Sequence, residues 1–273
     1  MKKTIKLRCH PKNKSRKTCL TDNILFDLKK TWNLRHPDKK IRTNNPKKIQ
    51  KKIKEYNSIC NNEICLIDTL MKNKEEIKGK LFAPFTPLEW KKDKNTWLNS
   101  LDITNVMRQY EETHPNFKFL GPSPIDFDER QDVSCVWPEL CNFDINEMIK
   151  NKKEKIGIIF NLDPHYKGGS HWICLFIDLN KKYILFLDSN GTEIPPEILK
   201  LKNKIINQSK YKLKYYDNKG LAHQRTNTEC GMYCLYTIIT LLTNKHGPEY
   251  FISRRIPDSV VEKYREIYFN YNY

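Results

Sequence analysis

The sequence has no apolar run near the roughly 18 to 20 residues needed to cross a bilayer. Its start, Met1 to Arg8, lacks the apolar stretch of a secretion signal. A membrane-spanning or exported protein is therefore set aside, and a soluble, intracellular one is expected. No CxxC pair occurs among the nine cysteines, at 9, 19, 60, 65, 135, 141, 174, 230 and 234. An odd set at that spacing fits neither a disulfide framework nor a zinc ribbon. Cys9-His10, or Cys60 with Cys65, falls short of a metal site. Free thiols in a reducing compartment are expected, with no metal and no cofactor. Internal repeats and low-complexity tracts are also missing. Acidic residues are scarce, 32 against 49 Lys and Arg, for a formal net charge of +17. That imbalance implies attraction to something acidic: nucleic acid, an acidic protein surface or an anionic scaffold.

What is present is enough for one substantial core plus a small appendage in 273 residues. The charge is uneven, because residues 1–54 hold 19 Lys or Arg against Asp22, Asp27 and Asp38. Within that stretch, residues 19–32 read as a helix capped by Thr21 or Asp22, with Ile24, Leu25 and Leu28 at helical spacing. Residues 45–59 read as a second basic helix with Ile49, Ile53 and Tyr56 on one face. Residues 1–80 are expected to form a small helical arm and residues 81–273 the main domain. After Pro84 and Pro87, residues 97–112 (WLNSLDITNVMRQYEE) read as an amphipathic helix with Leu101, Ile103, Val106, Met107 and Tyr110 buried. A turn-rich segment with Pro115, Pro122 and Pro124 follows. Residues 156–162, 171–179 and 183–189 are β-branched, aromatic and nearly continuously apolar, as strands covered on both faces are. Residues 195–208 read as a helix, 212–217 as a strand, and the stretches from Cys230 and Pro257 as closing helices. The order predicts an α+β domain with a central sheet.

The chemistry gathers at three places. His171 opens one expected strand and Asp188 closes the next, with the turn near Leu179 to Lys182. An even-numbered loop puts them on one face, directly opposite or a diagonal apart, whereas a three-residue loop puts them on opposite faces. On one face, the carboxylate accepts the imidazole Nδ1–H and leaves Nε2 to take a proton. Cys230 falls in the first turn of a helix capped by Thr228 or Glu229, where unpaired N–H groups and the macrodipole favour negative charge. Gly231 leaves the sulfur open to a substrate backbone. The backbone N–H of Cys230 and the side-chain amide of Gln224 are candidates to hold a developing oxyanion. Cys234, one turn deeper, is expected to be core. His223 beside Gln224 lacks a carboxylate partner and reads as a loop residue, and His36, His114 and His165 read as surface. Asp178 ends its strand near the turn, far from His171. Gly168-Gly169 reads as a hinge, with self-cleavage there the sharper alternative.

Together, His171-Trp172, Asp188, Gln224 and Cys230-Gly231 resemble the catalytic layout of the SUMO-deconjugating cysteine proteases and adenovirus protease. WLNSLDITNVMRQY resembles the helix of the SUMO proteases whose tryptophan lies over the substrate's Gly-Gly, although Ser100 stands where that motif has aspartate. HWICLFIDL, HQRTNTECG and the arm with its CNNEIC resemble the polyprotein-processing cysteine proteases of African swine fever virus and related large DNA viruses. The resemblance implies a SUMO-protease-like core with a mixed sheet flanked by helices. It implies a viral endopeptidase that cuts after Gly-Gly-type sites during virion maturation, in the virion and the host cytoplasm. The catalytic residues would be His171, Asp188, Cys230 and Gln224, with Trp97, Trp172 and Gly231 at the substrate. Expected partners are a protein substrate and, through residues 1–54, nucleic acid or an acidic scaffold. The alternatives are a deconjugase for SUMO-like tags, a basic nucleic-acid-binding protein without catalysis and, more remotely, an acyltransferase.

Overall fold

The computed structural model describes residues 7–13, 18–57, 59–93 and 95–271. Lys2, Lys3, Lys6, Lys14, Arg16 and Lys17 of the basic stretch lie outside them. The chain divides into two compact units, Met1–Pro84 and Phe85–Tyr273.

The first unit is helical: α1 (Asp22–Arg35), α2 (Pro46–Tyr56), α3 (Glu63–Leu70) and α4 (Lys74–Leu81). Each of the first three starts behind a side-chain cap. Thr21, Asn45 and Asn62 accept from the backbone N–H groups of Ile24, Lys48 and Cys65, which satisfies a donor the helix itself cannot. Leu25, Leu28 and Trp32 of α1 are buried, as are Ile49 and Ile53 of α2 and Leu66, Ile67 and Leu70 of α3. Glu63 is buried among them and accepts from the Thr18 hydroxyl, the Cys19 N–H and the Gln50 amide. One carboxylate thus ties α2, α3 and the segment before α1, and three donors offset its desolvation. The expectation of nine free thiols is corrected here. Cys9–Cys19, Cys60–Cys65 and, in the second unit, Cys135–Cys141 are disulfides, leaving Cys174, Cys230 and Cys234 free. A loop between Cys9 and Cys19, the start of α3 and, in the second unit, the short helix Pro138–Cys141 bring the pairs to Cα separations of 5.1, 5.3 and 6.3 Å, a proximity that spacing rules built on CxxC do not register.

The second unit runs α5 (Ser100–Thr113), β1 (Phe117–Pro124), β2 (Arg130–Gln131), β3 (Ser134–Cys135), α6 (Pro138–Cys141), α7 (Ile145–Lys150) and β4 (Lys155–Asn161). It continues with β5 (Trp172–Asp178), β6 (Tyr183–Leu187), α8 (Pro196–Gln208), β7 (Lys214–Asp217), α9 (Cys230–Leu242), α10 (Glu249–Ile252) and α11 (Asp258–Tyr268). Five strands form one mixed sheet in the order β1-β4-β5-β6-β7. The outer pairs are parallel and the β4-β5-β6 centre is antiparallel. The period-2 alternation of a strand sends successive side chains to opposite cores. On β5, Trp172, Cys174 and Phe176 join the core under α5, α9 and α11, whereas Ile173, Leu175 and Ile177 join the one under α7 and α8. Both faces are covered, which is why these strands are apolar throughout. The turns expected at Pro122 and Pro124 are instead part of β1. It is an edge strand, and its register shifts between Leu120 and Ser123, where proline is tolerated. Gly121 has φ +99°, and a Cβ there would sit 2.5 Å from the Ile159 carbonyl oxygen, so glycine is required. All thirteen residues of α9 are buried, and the first of them is Cys230.

Candidate active site

Two strands and one helix terminus bring the expected groups together. The β5–β6 loop, Leu179 to Lys182, has four residues, since Asp178 pairs with Tyr183. The register pairs Cys174 with Leu187, so His171 and Asp188 fall on one face, one diagonal apart. His171 Nε2 lies 2.6 Å from Asp188 Oδ1. The tautomer expected from the sequence is thereby reversed: Nε2 faces the carboxylate, and Nδ1 is left for the sulfur. Asp188 is itself held, accepting from the Asn190 N–H at 2.8 Å and from the Thr192 hydroxyl. Its backbone N–H donates to Asn218 Oδ1, and the Asn218 amide donates back to its carbonyl at 2.6 Å. Burial pushes the Asp188 carboxyl up, and the His171, Thr192 and Asn190 donors overcome it, so the net shift is downward.

Cys230 is 1% exposed and opens α9, where its backbone N–H has no intrahelical acceptor. Its sulfur faces the imidazole of His171 closely enough to raise that ring's pKa. Burial lowers the His171 pKa, but the bonds to Asp188 and Cys230 prevail and raise it from 6.5 to about 9. The ring is therefore imidazolium at neutral pH, bridging a carboxylate and a sulfur. Glu229, the N-cap, does not cap with its side chain. Its carboxylate accepts Arg265 Nε at 3.0 Å and Nη2 at 2.9 Å, and that guanidinium lies 4.5 Å from the Trp90 ring.

Gln224 sits on the loop before α9, which is laced to the turn after β6. The N–H groups of His223 and Gln224 both donate to the Ser189 carbonyl. Ser189 Oγ donates to Gln224 Oε1 at 2.8 Å, and Gln224 Nε2 donates to the Thr226 carbonyl at 2.6 Å. The amide plane is fixed at both ends. Gly191 in that turn has φ +71°, and a Cβ would meet the Ala222 backbone nitrogen at 2.7 Å. His223 is committed elsewhere: Nε2 donates to the Phe251 carbonyl and Nδ1 accepts from the Ile256 N–H. Cys234 is fully buried against Cys174, and burial with that contact pushes its thiol up.

A cleft of about 870 Å³ is lined by Trp97, Leu98, Asn99, the β1 segment 121–124, Gly168, Gly169 and Trp172. Trp97 is 42% exposed and lies before the helix rather than in it. The helix expected from residue 97 starts at Ser100, because Asn99 and Asp102 form a reciprocal capping box. Leu101, expected to be buried, is 64% exposed. Trp172 Nε1 donates to the Leu98 carbonyl at 2.8 Å and holds the Trp97-Leu98 turn against β5. Gly231 is buried at the same place, and a Cβ would lie 3.0 Å from Leu98 and 3.2 Å from Trp172. The space left by its missing side chain is filled by those two residues rather than left open to a substrate. Asp126, Glu129 and His165 bring potential metal-ligand atoms within 4.8 Å of one another, and His165 already pairs with Asp126 at 2.7 Å.

Asn190, Thr192, Asn218 and the Glu229–Arg265 pair were not singled out from the sequence. The polar run Asp188-Ser189-Asn190-Gly191-Thr192 marks a turn whose groups fold back onto Asp188. Arg265 carries no local signal, since its partner lies 36 positions away.

The family model for the Ulp1 protease family, C-terminal catalytic domain, matches residues 142–273. A protein of Acanthamoeba polyphaga mimivirus named as a thiol protease is 31% identical over 224 residues, 78% of this chain and 71% of its own. A cysteine protease from a Malawi tick isolate of African swine fever virus is 24% identical over 241 residues, 80% of this chain and 88% of its own. The crystal structure of the African swine fever virus protease superposes with a TM-score of 0.73 at 19% identity, covering 98% of this chain and 97% of that one. That likeness shows the fold, a mixed sheet flanked by helices. An enzyme family leaves no place for a nucleic-acid-binding protein without catalysis. The chain belongs to the Ulp1 protease family, in its viral, SUMO-protease-like branch, and is a cysteine protease.

Proposed function

We propose that this protease is an endopeptidase that cuts viral protein precursors after Gly-Gly-type sites during virion maturation, in the virion and the host cytoplasm. The observation that carries the chemistry is His171, held by Asp188 at 2.6 Å on Nε2 and raised in pKa by both Asp188 and Cys230. A protonated imidazole beside a sulfur favours the thiolate, which is the nucleophile. The thiolate adds to the carbonyl carbon of the substrate glycine, forming the C–S bond and an oxyanion. The Cys230 N–H and the Gln224 amide stabilise that oxygen, each such donor being worth roughly 3 kcal/mol. His171 Nδ1 gives its proton to the leaving nitrogen as the C–N bond breaks. Water, deprotonated by the same nitrogen, then opens the thioester and restores the thiol.

The preference for glycine is supported by the cleft. Trp97, Leu98 and Trp172 are part of its lining, and Leu98 and Trp172 both pack at Gly231, beside Cys230. A groove walled by indoles would favour residues without side chains. The test is cleavage of matched peptides bearing Gly-Gly, Ala-Gly or Gly-Ala before the scissile bond, together with a SUMO fusion ending in Gly-Gly. Cleavage of the Gly-Gly peptide at least tenfold faster than the others supports the reading. Cleavage of the fusion alone, with the free peptides ignored, would replace it with a deconjugase.

A further inference from the structure

Net charge is divided between the units in a way catalysis does not explain. Residues 1–84 carry 23 Lys and Arg against 8 Asp and Glu, whereas residues 85–273 carry 26 against 24. Nearly all of the +17 thus belongs to the helical unit, which holds none of the reacting residues.

On that unit, the outer face of α1 is unlike the other lysine-bearing surfaces. Phe26 is 39% and Leu34 76% exposed, and with Lys29, Lys30, Asn33 and Lys40 they line a groove of about 440 Å³. Phe26, Lys30 and Leu34 stand four residues apart and share one face of the helix. The apolar pair is therefore separated by about 12 Å along the axis. Lys29 donates to the Asn44 side chain, while among the described residues Lys30 and Lys40 have no carboxylate partner. No acidic side chain lines the groove among the described residues. By contrast, α2 presents Lys47, Lys48, Lys51 and Lys52 with both of its isoleucines buried.

We propose that this face of α1 docks an acidic amphipathic helix of a protein partner. The partner's two apolar side chains, seven or eight residues apart, seat against Phe26 and Leu34, and flanking carboxylates meet Lys30 and Lys40. Charge complementarity selects an acidic partner. The exposed apolar pair selects a protein helix over nucleic acid, because a phosphate backbone offers it nothing to bury against. Such docking tethers a partner independently of what the active site cuts.

Fluorescence anisotropy on the full chain carrying Cys230→Ala tests this, using three labelled probes. One is an 18-residue peptide with leucines at positions 5, 9 and 12 and glutamates on the flanking faces. The second is the same composition scrambled, and the third an 18-base-pair duplex DNA. The patterned peptide is expected to bind at least tenfold more tightly than the scrambled one. Phe26→Ala with Leu34→Ala, both surface changes, erases that difference. Lys30→Gln with Lys40→Gln weakens the patterned peptide severalfold and flattens its salt dependence. Equal binding of patterned and scrambled peptides, tighter binding of DNA that ignores the apolar double variant, or no binding of the patterned peptide overturns the proposal.

Discussion

His171 interacts with one carboxylate and one sulfur, and on the proposed mechanism its protonation sets the pH range of the enzyme. Its pKa is raised from 6.5 to about 9, so the bridging contacts stabilise the fold fully below about 6.5 and lose that contribution as pH rises through about 9. Asp188 is shifted downward, so its contribution is present above the ordinary carboxylate range and is lost on acidification. Peptide cleavage should therefore fall on the alkaline side near pH 9, as the acid for the leaving amine is lost. Asp188→Asn should move that limb down by roughly one unit and lower kcat on the order of 100-fold, read from pH–rate profiles. A limb that stays in place would remove Asp188 from the mechanism. Arg265 is a positioning residue by the same scale of argument. It pairs with the buried Glu229 carboxylate immediately before Cys230, the proposed nucleophile. Arg265→Met should cost about 3–5 kcal/mol in thermal or denaturant unfolding and slow labelling of Cys230 even where the variant is fully folded. Arg265→Lys should recover much of both. Trp97→Ala should raise KM for a Gly-Gly peptide severalfold with kcat largely kept.

At the scale of elements, β4 and α9 are packed against each other with no slack. A Cβ on Gly157 would lie 2.8 Å from Ile238 and 3.0 Å from Phe117, so Gly157→Ala should cost about 1–3 kcal/mol. Denaturant midpoints would show it, and an unchanged midpoint would mean that the helix can shift away. The strands and helices around the site were readable because both faces of the sheet are apolar and α9 is apolar all round. β1 was not, because its prolines sit at an edge bulge where no ladder bond is lost. The start of α5 lies three residues beyond the one its apolar pattern suggests, since Asn99 and Asp102 cap it while Trp97 and Leu98 look like its first turn. The even loop after β5 was legible as a condition for pairing His171 with Asp188. The ring's orientation was not, because it depends on where α9 delivers the sulfur in three dimensions. The disulfides are not legible because local loops and helices, not a CxxC motif, bring each pair together.

The whole molecule separates chemistry from charge. The proposed reacting residues all lie in residues 85–273, which are close to neutral, while residues 1–84 hold the basic excess. Cleavage of a short, uncharged Gly-Gly peptide should thus change less than about twofold between 50 and 200 mM salt, since long-range attraction is screened there and little is in use. The same peptide fused to an acidic amphipathic helix should lose rate as salt rises, measured as kcat/KM. The claim on which the account rests most heavily is that one thiol of this chain is activated by one histidine toward a Gly-Gly acyl group. A Gly-Gly peptide ending in a thiol-reactive vinyl ester, mixed with the wild type, His171→Ala and Cys230→Ala and mapped by mass spectrometry, tests it directly. The account predicts rapid labelling confined to Cys230, slowed at least a hundredfold without His171 and absent without the thiol. Labelling spread over several cysteines, or unchanged in His171→Ala, would contradict it.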